Sequence, residues 1–78
     1  MENVQLTAIS PKSWQLLRVA ADYTQRAVER EVDGLVQAHI SMLEGGNRSL
    51  SEPRRRLLFD LYTAELTHTQ VSAIVENF

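Results

Sequence analysis

The side chains able to do chemistry are few and scattered. His39 and His68 are the two histidines of the chain. Either would serve as a base or a ligand only where a carboxylate, a thiol or a second imidazole converged on it. The 78 residues include no cysteine, which excludes disulfides and thiolate metal sites. His68 falls in register with an apolar seam and His39 lies beside another, so both are expected to pack and hydrogen-bond locally. Glu29 and Asp33 share a helix face with Arg26 and Arg30, a spacing that suits ion pairs better than an acid/base pair. Gly45-Gly46 lacks the downstream lysine and hydroxyl of a phosphate loop. No catalytic residue, metal or cofactor is expected, and the chain reads as a protein other than an enzyme.

The sharpest charge feature is Arg54-Arg55-Arg56, with Arg48 nearby. It falls at a helix start, where the dipole disfavours cations; it suits either a solvated face partly neutralised by Glu52 and Asp60 or contact with an acidic partner surface, or weakly with phosphate. No aromatic residue is interleaved with these arginines, so stacking on bases is unsupported. Ten acidic residues against eight basic ones give a formal charge of -2. That balance argues against nucleic acid as the main partner, because phosphate binding favours a basic protein. Trp14 and Phe78 are the aromatic anchor candidates for a protein interface.

Helices must position these residues. Residues 1–9 are polar, and a flexible tail is expected there. Ser10 is a good cap and Pro11 suits the first helical position. No proline follows until residue 53, so one helix is expected over about 11–44, with Gly34 its weak point. Gly45-Gly46-Asn47 supplies a stop, the turn runs over 45–51, and Ser51-Glu52-Pro53 opens a second helix over about 52–77. Leu57, Leu61, Ala64, His68, Val71, Val75 and Phe78 recur at alternating steps of four and three, the spacing of a coiled-coil seam. The first helix carries an apolar stripe through Trp14, Leu17, Ala21, Val28, Val32, Leu35, Val36, Ile40 and Leu43. Arg18, Asp22, Arg26 and Arg30 form its solvated face.

The fold expected is therefore all-α, an antiparallel helical hairpin of coiled-coil type in a single domain over residues 10–78. A helix of 34 residues would run roughly 51 Å and one of 26 roughly 39 Å. The excess leaves two options for residues 10–23: the chain breaks near 20–24 and the segment folds back, or its apolar side chains await a partner. A hairpin has one shared seam, so apolar flanks stay open, and such patches mark interaction sites. The partner surface is expected to use Trp14, Leu17, Leu58 and Tyr62, with Arg54, Arg55 and Arg56 at its edge. No signal peptide is visible and no apolar run approaches the roughly 20 residues of a membrane span, so a soluble, cytoplasmic protein is expected.

Residues 43–53 read Leu-Glu-Gly-Gly-Asn-Arg-Ser-Leu-Ser-Glu-Pro. This turn, with the helices on either side, resembles the helical junction of the small type III secretion co-chaperones of the YscE/SsaE/EscE group, over about residues 28–78. The resemblance implies a cytoplasmic co-chaperone that pairs with a larger helical-repeat chaperone and helps keep the needle subunit from polymerising. The order helix, Gly-Asn turn, Leu-Ser, helix is also similar to the small connector regulators of biofilm and stress signalling of the AriR/YcgZ type. That second resemblance implies a dimeric regulator that binds a signalling protein or DNA.

Overall fold

Caps and turns, rather than prolines alone, divide the described residues into five α-helices. The computed structural model describes residues 5–47 and 50–78. The helices are α1 Pro11–Ala20, α2 Gln25–Glu31, α3 Gln37–Glu44, α4 Glu52–Thr63 and α5 His68–Asn77, preceded by a 3-10 turn at Leu6–Ala8. Ser10 accepts the Ser13 amide at 3.0 Å, with Pro11 behind it in the first turn. Thr24 accepts the Ala27 amide at 3.0 Å and so starts α2. Thr67 and Gln70 form a reciprocal capping box that starts α5.

The all-helical class expected from the sequence is what the structure shows, but the two long helices of a hairpin are not. The longest extent of the molecule is 28 Å, shorter than either expected helix. The segment 11–44 is three helices. It breaks first at Ala21 and Asp22, the latter with φ of 66°, and again at Val32–Val36, where Gly34 has φ of 84°. The break near residues 20–24 is the first of the two options for the N-terminal segment, and α1 folds back against α3, α4 and α5. The segment 52–77 is two helices, parted at Ala64–Thr67.

The core gathers the apolar stripe into one cluster. Trp14, Leu17, Val28, Ile40, Leu58, Tyr62 and Val71 are its most deeply buried large side chains. Trp14 meets Phe59 edge to face, with ring centroids 6.5 Å apart. The N-terminal segment joins this core. Residues 5–9 are not a free tail, because Leu6 and Ile9 are both buried and the 3-10 turn packs on α4. The expectation for residues 1–4 lies outside the described residues, as does Arg48.

The seam expected along residues 57–78 is broken: Val71 is buried and Leu61 and Val75 pack partly against the core, but residues 64–67 part α5 from α4 and Leu57, Ala64, His68 and Phe78 are exposed. The side of α4 that packs is that of Leu58, Phe59 and Tyr62.

Candidate functional site

Four of the residues expected to meet a partner are instead interior. Trp14 is 2% exposed, Leu17 and Leu58 0% and Tyr62 1%. The apolar flanks of a hairpin do not exist once five short helices close around them. The arginine run divides three ways. Arg54 is exposed, Arg55 is half-buried and donates to the Leu50 carbonyl, and the Arg56 guanidinium sits 6.0 Å from the centre of the Phe59 ring. Arg18, expected on a solvated face, is paired inside with Glu44. Its Nε lies 2.8 Å from Oε2 and its Nη2 3.1 Å from Oε1. Hydrogen bonding to Glu44 raises the Arg18 pKa, opposed by burial.

Neither histidine meets the requirements for chemistry. His68 is exposed at the first position of α5, not packed in a seam, and His39 is half-buried on α3 with no hydrogen-bond partner for Nδ1. Among the described residues no cluster of histidine or carboxylate side chains could hold a metal ion. A cleft of ≈ 380 Å³ lies where the 3-10 turn meets the ends of α1 and α3. Leu6, Ile9 and Trp14 line it together with Asn47 and Arg55, without a convergent set of titratable groups.

The surface with a definite design is that of α2 and α3. The caps Val32 and Val36 enclose only Asp33, Gly34 and Leu35, and Gly34 supplies the positive φ that reverses the chain. Val28, Val32, Leu35, Ile40 and Leu43 turn inward from the two helices and the turn. Outward on α3 stand Gln37, Ala38 and Ser41, all exposed. These three occupy positions i, i+1 and i+4, one strip of the helix surface.

Hydrogen bonds fix α3 at both its ends. Val36 has no side chain to cap with, and the Glu29 carboxylate from α2 takes the Gln37 amide at 2.7 Å instead. At the other end Gln25, the first residue of α2, donates to Glu44 at 3.1 Å, and Arg18 holds the same carboxylate. The start of α2, with exposed Arg26 one residue on, therefore lies beside the end of α3. Pro11 approaches Gly46 at that end as well, which brings exposed Lys12 into the same neighbourhood. The Glu29 carboxylate marks the opposite end, with exposed Glu31 and Asp33 following it in the chain.

Two short helices joined by a tight, glycine-containing turn, the second burying Ile40 and Leu43 and carrying a polar outer strip, make a compact two-helix unit. The chain belongs to the family described as "Domain of unknown function (DUF8599)", whose model matches residues 3–55 and so encloses this unit entirely. No curated protein and no solved structure matches the chain.

Two local signals in the sequence mark the boundaries of this unit, which the expected helix over about 11–44 runs through. Thr24 before Gln25-Arg26-Ala27-Val28 is a cap, and Asp33-Gly34 between apolar residues is a turn. The apolar stripe runs through both without a change of phase, so periodicity alone does not reveal them.

Proposed function

We propose that this chain is a non-enzymatic helix-turn-helix domain that reads double-stranded DNA by laying α3 in the major groove. The observation that carries the reading is the exposed strip Gln37, Ala38 and Ser41 on the second helix of the unit. The major groove admits one α-helix, glutamine bonds adenine through N6 and N7, serine bonds several base edges, and an alanine methyl packs on the thymine methyl. The other exposed polar helix, α5, fits less well. Its Gln70 side chain is engaged in the capping box, and no positive φ shapes the turn before it.

The whole-chain charge of -2 had pointed away from nucleic acid. It bears on the strength of non-specific phosphate binding more than on groove readout. Gln25 and Pro11, the chain neighbours of exposed Arg26 and Lys12, contact the end of α3, where such modules make backbone contacts. The reading favours the regulator of the two sequence expectations, in its DNA-binding form. The co-chaperone reading rested on open apolar flanks, and the side chains assigned to those flanks are interior.

Selection of bound duplexes from a random-sequence pool tests the proposal. Recovery of a common short motif, lost in the Gln37→Ala variant with an unchanged circular dichroism melt, is the expected result. A pool that stays random at low salt, or a motif indifferent to Gln37 and Ser41, would overturn it. A helical-repeat chaperone co-purifying in place of DNA would return the co-chaperone reading.

A further inference from the structure

Helix α4 carries apolar residues on two sides. Leu58, Phe59 and Tyr62 face the core. Pro53, Leu57, Leu61 and Ala64 follow one another at steps of four, four and three, the spacing of a second stripe on the other side. Pro53 and Ala64 are exposed, Leu57 is 52% exposed, and Leu61 is half-buried. Leu57, Leu61 and Ala64 open the seam expected from the sequence, so that part of the seam is turned largely to solvent. Four exposed charges border the stripe: Arg54 and Arg56 in the first half of α4, Asp60 in the second and Glu65 just beyond its C-cap. Glu52, five residues before Leu57, falls on the far side of the helix. Among the described residues none of the four forms an ion pair within the chain.

We propose that this stripe is the contact face of a homodimer, in which α4 of one copy packs antiparallel on α4 of the second about a twofold axis. The charges select both the occupant and the direction. In such a contact residue i meets j and j meets i. Leu57 set against Leu61 of the second copy puts the axis level with Phe59. Pro53 then falls beside Ala64 of the second copy, and Arg54 beside its Glu65, twice over by symmetry. Along the opposite edge the order becomes Arg56, Asp60 of the second copy, Asp60, Arg56 of the second copy, so each carboxylate has an arginine as its outer neighbour. A parallel pair would set Arg54 on Arg54 and Glu65 on Glu65, which repel. The antiparallel pair also brings the start of each α4 to the end of the other, where cations are favoured. The arginines that oppose the dipole of their own helix thus suit that of the second copy. The inference goes beyond the use of α3 and holds whether or not α3 reads DNA.

Sedimentation of the full chain over a concentration series, at low and high salt, is the test. Helix α4 has 12 residues, roughly 18 Å, a contact small enough that dissociation in the micromolar range or weaker is expected. Wild type should pass from monomer to dimer as concentration rises, and Leu57→Ser should stay monomeric. Arg54→Glu and Glu65→Lys should each weaken the dimer by roughly tenfold at low salt and by less at high salt. The double variant exchanges the signs of the pair and is expected to recover much of the loss. Glutamate at position 54 suits the dipole of its own helix, so the melt of Arg54→Glu at low concentration should not fall, and a lost dimer is then not lost folding. A wild type that stays monomeric up to about 1 mM overturns the inference. So does a dimer indifferent to Leu57→Ser, or single reversals that the double variant does not repair. Should Leu57→Ser fail to melt cooperatively, the charge cycle decides alone. No variant touches α3, so failure here and failure of DNA reading are told apart.

Discussion

Arg18 and Glu44 face each other across 26 residues of sequence and close a two-pronged ion pair, at 2.8 and 3.1 Å, between α1 and the last residue of α3. Their side chains are 12% and 6% exposed. Arg18 also donates to the Tyr23 carbonyl at 2.8 Å and Glu44 accepts from Gln25, so one pair ties together α1, the α1–α2 turn, α2 and α3. A buried pair is strongly destabilised when one charge is left alone, because desolvation of the survivor is no longer offset. Arg18→Met or Glu44→Met is expected to cost about 3 kcal/mol, a large share of the stability of so small a domain. The double Met variant should recover much of that loss. Urea denaturation of all four forms checks the cycle, and additive single losses would show that the two residues act separately.

Tyr62 lies in the same region, its ring 6.1 Å from that of Tyr23, and its hydroxyl is buried without a hydrogen-bond partner. Burial pushes its pKa well above the usual phenol value, the Glu44 carboxylate adds to the rise, and Arg18 partly opposes it. The folded state thus keeps the Tyr62 proton where the unfolded chain has released it. Stability from this group is fully present below about pH 10 and falls as pH rises above it, by at most about 1.4 kcal/mol per pH unit. Tyr62→Phe is expected to flatten that alkaline decline. Near neutral pH it should leave stability unchanged or raise it by up to about 1 kcal/mol, since it removes an unsatisfied buried hydroxyl. Melts of both proteins between pH 8 and 12 would refute the assignment if they declined in parallel.

Trp14 is the single tryptophan and sits in the core against Phe59. Its truncation therefore tests folding rather than partner binding. Trp14→Ala is expected to cost about 3–5 kcal/mol, comparable to all that the core of so small a domain supplies. The native emission should be blue-shifted and should move to the red on addition of urea. A Trp14→Ala protein that kept its helical melt would place the indole outside the core.

Much of the core was legible in the sequence while its geometry was not. Trp14, Leu17, Ala21, Val28, Val32, Leu35, Ile40 and Leu43 were read as one apolar stripe, and all eight are buried. Val36 belonged to the same stripe and is 46% exposed, because it caps α3 from outside. The stripe persists through two breaks because each turn returns the chain to the same core, so periodicity alone does not reveal the turns. Local chemistry does: Thr24, Gly34 and the Thr67–Gln70 box each mark an element boundary. Ser10, Gly45 and Ser51, read in the same way, stand at the boundaries expected of them. Arg18 carried no such mark, since nothing near it in sequence announces Glu44.

The turn of the two-helix unit can be tested without touching its surface. At Gly34 a methyl group would meet nothing, yet φ of 84° is strained for any residue with a Cβ. Gly34→Ala is thus expected to cost about 1 kcal/mol through the backbone alone, and Gly34→Asn less, because asparagine tolerates the left-handed region. Thermal melts of the two variants should rank in that order. Equal losses would mean that side-chain packing, not backbone conformation, sets the penalty.

On the proposed DNA-binding function, Gln37 would read bases and Arg26 would hold the backbone. Gln37 stands on the outer strip of α3 and Arg26 at the start of α2 beside the end of α3. A base contact is felt at one position of a site, whereas a phosphate contact is felt at every sequence alike. Gln37→Ala is expected to cost about 1–3 kcal/mol on the selected duplex, to relax preference at one base pair, and to leave a scrambled duplex unaffected. Arg26→Ala should weaken both duplexes by a similar factor and lower the slope of affinity against salt by about one. Both variants replace exposed residues, so their melts should stay close to the wild type. Titrations of the two duplexes across a salt series distinguish the roles. A uniform loss from Gln37→Ala would move it from the reading strip to the backbone contacts, and α3 would no longer be the helix that lies in the groove.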